Sequence, residues 1–242
     1  MYTFSNRLKV VSLILIIVGA GLWVPNYLSS HVTVDEVKTM LAEEDSHGDH
    51  GGTTDHATVS DASHGDAEAH DDKHAEHVMH QIHNRPYAAL YVAAFFFFMI
   101  ALGALAFYGV QYASQAGWSP VLFRVMEAIT YYVLPGGLIV LGIALWGGDH
   151  LFVWMKEGVT EVGHENYDAI IAGKSGFLNK TGFIIRGLIF IGGWSAYRYF
   201  SRKFSLAQDT AEDNSNFKKN FRISAAFLVF YLVTESMMSW DW

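Results

Sequence analysis

The sequence predicts an all-α integral membrane protein, and three observations carry that prediction. Apolar runs occur at 8–28, 87–112, 121–146, 177–200 and 223–240. A hydrocarbon core about 30 Å thick takes roughly 20 helical residues to cross, and every run approaches or exceeds that length. Polar residues gather in the connections instead of alternating along amphipathic faces, as expected where lipid is the solvent. Basic residues also segregate to alternate connections, the pattern of the positive-inside rule.

Composition narrows the functions open to the chain. Its 242 residues are 51% hydrophobic and 15% aromatic. A water-soluble fold of this size has no room to bury Phe95-Phe96-Phe97-Phe98 together with the other runs. The absence of Cys excludes a disulfide framework, a thiol nucleophile, thiolate-ligated iron–sulfur clusters and covalent haem attachment within this chain. The formal charge of −8 comes mainly from one connection, so it describes that segment and not the membrane body.

The first run follows Arg7 and Lys9 and resembles a signal peptide at its start. Its length, and the lack of an A-x-A-like site in Ala20-Gly21-Leu22-Trp23-Val24-Pro25-Asn26, make 1–30 a retained transmembrane anchor. Residues 31–85 form a His/Asp-rich connection. The stretch from about Glu43 to His83 has so few apolar residues that we expect it to be largely disordered. Residues 86–242 supply the remaining four runs as a transmembrane bundle. Within it, 147–176 alternates Leu151, Phe152, Trp154 and Met155 with polar groups, which predicts short interfacial helices. Pro135-Gly136-Gly137 should kink or locally unwind the third span. Arg198, Arg202, Lys203, Lys218, Lys219 and Arg222 flank the loop at 201–222 and, with Arg7 and Lys9, place that loop and the N-terminus in the cytoplasm.

Arg124, Glu127, Arg186, Glu235 and Asp241 lie within these runs or at their edges, where charge is expensive and usually faces a bundle interior or a water path. Glu235 lies about 20 Å beyond Arg222 at 1.5 Å per residue. It is expected to serve a proton relay or a charge pair, the alternative being a protonated carboxyl bonded to a backbone carbonyl. Arg186 suits a buried carboxylate such as Glu127 or Glu235, or else snorkels to the head groups. Glu127 follows Arg124 by one turn, which reads as an i,i+3 pair, or as the entrance of a proton path continuing through Tyr131 and Tyr132. Asp149 and His150 form either a proton exit or a polar cap on the third span. His70, His74 and His77 share one helical face at metal-ligand spacing, but a solvated tract without fixed geometry is at most a weak metal site.

Four strings carry a family likeness. Asn84-Arg85-Pro86-Tyr87-Ala88-Ala89-Leu90-Tyr91, Ala116-Gly117-Trp118-Ser119-Pro120-Val121-Leu122-Phe123-Arg124-Val125-Met126-Glu127, and Val233-Thr234-Glu235-Ser236-Met237-Met238-Ser239-Trp240-Asp241-Trp242 resemble the ActF family of bacterial alternative complex III. Tyr199-Phe200-Ser201-Arg202-Lys203-Phe204 is similar to that family as well. The resemblance implies an NrfD-like four-helix bundle behind the anchor helix, in the bacterial inner membrane with the His-rich connection in the periplasm. It implies a non-redox subunit of a quinol:cytochrome c or copper-protein oxidoreductase. The related membrane subunit ActC, periplasmic haem c and iron–sulfur subunits, lipids and a terminal oxidase would be its partners. This chain would itself bind no cofactor, with quinol as the substrate of the complex. Members of the family hold two such bundles, so the chain is expected to represent the N-terminal half of one.

The function expected is therefore the membrane arm of a respiratory quinol:electron-acceptor oxidoreductase, with a proton path through Glu127, Tyr131, Asp149, His150, Arg186, Glu235 and Asp241. A purely structural scaffold is the alternative. A metal-ion transporter, suggested by the histidines, is disfavoured because no His lies inside a predicted span.

Overall fold

A computed structural model describes residues 5–47 and 64–241. Every regular element among them is helical. The chain divides into two compact units, Met1–Ala88 and Ala89–Trp242.

In the first unit, α1 (Asn6–Ser29) opens on Ser5, whose hydroxyl accepts from the Leu8 amide at 3.4 Å. None of its residues is buried and its apolar side chains point in all directions, which is the surface of a helix bathed in hydrocarbon. Trp23 stacks on Tyr27 and donates to the Pro86 carbonyl at 3.0 Å, while Tyr27 meets Tyr87 edge-on. Next, α2 (Val34–His47) begins in a reciprocal cap. The Glu36 amide donates to Thr33 Oγ1 at 3.4 Å, and the Thr33 amide donates to Glu36 Oε2 at 2.8 Å.

The third helix, α3 (His64–Ala113), contributes to both units. The structure thus departs from the expected disorder at the end of α2, from Glu43, and at 64–83, while residues 48–63 lie outside the described part. The physical reason is local. The stretch after His64 contains no Pro, is rich in Ala, Glu and His, and carries Asp66 and Glu68 near the positive end of the helix dipole. Lys38 adds an ion pair with Asp72, and Val37 and Ala75 are buried.

In the second unit, α4 (Phe123–Ile129) follows a 3₁₀ turn at Ser119–Leu122 and leads through another, Thr130–Tyr132, into α5 (Val133–Trp146). The expected interruption of the third span is present, but one turn before Pro135. That position follows from the ring, which removes the donor for the Tyr131 carbonyl and crowds it. Helix α5 restarts at Val133 with Pro135 in its first turn, where amides have no intrahelical acceptor anyway.

The connection at 147–179 contains α6 (Gly148–Leu151), a 3₁₀ turn and α7 (Ala169–Gly173), the last capped by Asp168 Oδ1 at 2.7 Å from the Ile170 amide. Phe152 and Trp154 turn back onto Phe183. Then α8 (Lys180–Gln208) and α9 (Ser215–Asp241) run antiparallel, with cross-helix bonds between positions as far apart as 186–241 and as near as 201–220. Gly137 lets α5 close onto α8 and α3, since a Cβ there would meet Ile191 Cγ1 at 2.9 Å and Phe98 at 3.2 Å. Phe98, Leu102, Leu105, Val140, Phe183 and Trp194 form the center of the core.

Among the described residues four helical segments are long and apolar enough to cross a membrane: Asn6–Ser29, Asp72–Ala113, Ser119–Trp146 and Ser215–Asp241. The chain is thus a multi-pass membrane protein by length and composition. The predicted span at 177–200 forms most of α8 but is not among the four. Arg186, Arg198 and several glycines lower its hydropathy, and much of its apolar surface faces other helices.

Candidate functional site

A line of polar side chains follows the α8–α9 seam. At one end Arg186 Nε donates to Asp241 Oδ2 at 2.7 Å, and Nη2 to Oδ1 at 2.6 Å. The same guanidinium donates to the Phe177 carbonyl at 3.0 Å and lies 4.0 Å from the Phe177 ring centroid. The Asp241 side chain is 1% exposed and that of Arg186 is 15% exposed. This is the planar, two-pronged match that makes arginine the preferred partner of a buried carboxylate.

Further along the seam the contacts are neutral. Trp194 Nε1 donates to Thr234 Oγ1 at 3.1 Å, and the Tyr197 and Ser224 hydroxyls are 2.7 Å apart. Ser201 donates to Asn220 Oδ1 at 2.5 Å, and Asn220 returns a bond to the Ser201 carbonyl at 3.2 Å. At the far end Arg124 Nη1 bonds both Ser205 Oγ at 3.2 Å and Glu127 Oε2 at 2.8 Å, and Arg124 also pairs with Asp209. Tyr108 donates to Glu127 Oε1 at 3.0 Å. The Glu127 side chain is only 5% exposed.

Arg186 and Ser205 stand 19 positions apart on α8, about 28 Å at 1.5 Å per residue. That distance is close to the thickness of a hydrocarbon core, so the ion pairs of the seam sit at its two ends and neutral hydrogen bonds link the two helices between them. Each neutral rung satisfies buried groups that would otherwise destabilise the seam by about 1–3 kcal/mol.

The expected residues are only partly brought together. Arg186 finds Asp241, not Glu127 or Glu235. The i,i+3 pair of Arg124 with Glu127 forms, and Tyr108 adds a donor that no local pattern could reveal because it comes from another helix. Tyr131 is 65% exposed and lies against Arg198, 4.6 Å from its guanidinium, so it does not extend the Glu127 contacts. Asp149 pairs with Lys180 at 3.3 Å, with both side chains exposed, and His150 shares its short helix α6. Glu235 is half-buried, and its Oε2 is buried without a hydrogen-bond partner among the described residues. Ser236 and Ser239 donate to the carbonyls of Leu232 and Ser236 on their own helix. The side chain of His70 lies outside the described part. His77 Nε2 is 2.9 Å from Gln81 Nε2, and no group of three metal-ligating side chains occurs among the described residues.

Comparison of the chain with known protein families and with curated proteins finds no match.

Proposed function

We propose that this protein is an integral membrane subunit of a respiratory quinol:electron-acceptor oxidoreductase, and that the α8–α9 seam is part of a proton path through its membrane arm. The observation that carries this reading is the line from buried Glu127 through Ser205, Ser201–Asn220 and Tyr197–Ser224 toward Trp194–Thr234. Hydroxyl and carboxyl groups can both give and take protons. Oxidation of a quinol releases protons with its electrons, and ionisable groups at membrane depth are the usual way to guide them.

In this reading α1 is the anchor, and α3, the 119–146 segment, α8 and α9 form an NrfD-like four-helix bundle. Antiparallel pairing with α9 along its length carries α8 through the bilayer despite Arg186 and Arg198. The basic residues at 198–222 set that end in the cytoplasm of a bacterial inner membrane, with the N-terminus on the same side and the His-rich connection in the periplasm. The family resemblance of the strings around Arg85, Trp118 and Trp240 supports alternative complex III as the assembly. Its partners would be ActC, haem c and iron–sulfur subunits, lipids and a terminal oxidase. No redox centre would belong to this chain.

The test is Glu127→Gln and Glu235→Gln in the intact complex reconstituted into vesicles. Normal assembly and electron transfer with lost proton movement is the expected result. Unchanged proton movement in both variants would sink the path. A scaffold role is the second reading, favoured by the closed Arg186–Asp241 pair, whose charges are already fully engaged.

A further inference from the structure

An apolar groove of about 380 Å³ lies along the α8–α9 pair, beside the Tyr197–Ser224 rung of the seam described above. Gly193, Tyr197, Phe200 and Phe204 of α8 and Ile223, Phe227 and Phe230 of α9 line it. Gly193 lets the Phe230 ring reach the α8 backbone, since a Cβ there would meet that ring at 2.4 Å. From Gly193 to Phe204 the groove extends 11 positions along α8, about 16 Å at 1.5 Å per residue. That is roughly half of a ~30 Å hydrocarbon core, the depth of a single leaflet.

One end of the groove is cationic. Lys219 Nζ sits 6.0 Å from the Phe204 ring centroid, and Arg222 precedes Ile223 of the lining. Both side chains are exposed, and neither forms a salt bridge among the described residues. Asp213, an acid within electrostatic reach of Lys218 and Lys219, is turned toward Ser215, whose hydroxyl and amide donate to its Oδ1 at 2.8 and 3.3 Å.

We infer that this groove seats one anionic phospholipid, an acyl chain lying along the aromatic wall between α8 and α9 and the phosphate resting on Lys219 and Arg222. Within a bilayer every lipid offers the same apolar chain, so burial alone gives no preference. Selection comes from the head group, through cations placed where the chain ends.

The experiment uses the full chain in bilayers of equal phosphatidylglycerol and phosphatidylcholine with matched acyl chains, followed by extraction and native mass spectrometry of retained lipid. Wild type is expected to retain phosphatidylglycerol in preference. In Lys219→Gln/Arg222→Gln the preference should fall by roughly fivefold for each cation removed. Ala226→Phe, at an exposed position of the wall, fills the groove and should release the lipid. Equal retention of both lipids by wild type, an unchanged preference in the double variant, or retention that survives Ala226→Phe would each overturn the inference.

Discussion

Arg186 and Asp241, 55 positions apart, close the open end of the α8–α9 hairpin through two hydrogen bonds of 2.7 and 2.6 Å. Such a pair is asymmetric in its consequences. Removing one partner leaves a buried charge without compensation, at a cost of about 3–5 kcal/mol. Replacing both with apolar residues of similar volume is close to neutral or even stabilising. Asp241→Asn should therefore lower the thermal unfolding midpoint of the purified protein, and Arg186→Met/Asp241→Leu should restore it. A double variant as unstable as the single one would mean the guanidinium is needed for its bond to the Phe177 carbonyl instead.

The cap of α2 makes a pH-dependent prediction outside the membrane segments. Bonds from the Thr33 backbone amide and then from its hydroxyl hold the Glu36 carboxyl below its ordinary 4.5. A depressed carboxylate stabilises the folded cap above the unfolded value, and that contribution is lost as pH falls through the lower, folded value. Helicity at the start of α2 should accordingly be constant near neutrality and fall in the acid range below 4.5. An NMR titration of Glu36 checks this, and Thr33→Ala, which keeps the backbone amide and removes the hydroxyl, should move its titration part of the way back toward 4.5. A midpoint unmoved by Thr33→Ala would show that the hydroxyl does not help to hold the carboxylate.

How much of this was legible in the sequence depends on the range of the interaction. The apolar runs locate the helices because crossing hydrocarbon is a constraint on about 20 consecutive residues. Thr33 and Glu36 are also a local signal, a reciprocal cap at the right spacing, for a helix too polar to show among the apolar runs. Tyr108 with Glu127, and Arg186 with Asp241, were beyond reach for a different reason. Which faces of separate helices meet is decided by packing, and nothing near Arg186 distinguishes Asp241 from Glu235 as its partner. The lower hydropathy of α8 is the same effect in reverse, since burial against α5 and α9 relaxes the demand for apolar residues.

Close packing at Gly137 can be tested against a neighbour on the same helix. Its Cβ position is 2.9 Å from Ile191 Cγ1, whereas nothing lies within 4 Å of a Cβ at Gly142. Gly137→Leu should destabilise the protein by about 1–3 kcal/mol through overpacking. Gly142→Ala should stabilise it by about 0.5–1 kcal/mol, because alanine is the better helix former and meets no obstacle. Unfolding in detergent measures both, and equal effects at the two sites would show that the α5–α8 contact is looser than the distances state.

Pro135 leads to the last prediction. The 3₁₀ turn at Thr130–Tyr132 joins α4 to α5 where the proline ring denies the Tyr131 carbonyl its α-helical donor. Thr130 Oγ1 stabilises the break by donating to the Glu127 backbone carbonyl at 2.9 Å, so the irregular turn is bonded to the residue whose carboxylate accepts from Tyr108. Pro135→Ala returns an amide to position 135 and should draw 130–132 into continuous α-helix. Hydrogen exchange at those amides should slow, and the altered rotation of α4 against α5 should weaken the Tyr108–Glu127 bond. Exchange at wild-type rates would show that the turn is imposed by packing of α4 and not by the proline. Slow exchange with proton movement intact in the assembled complex would separate the backbone break from the chemistry of Glu127.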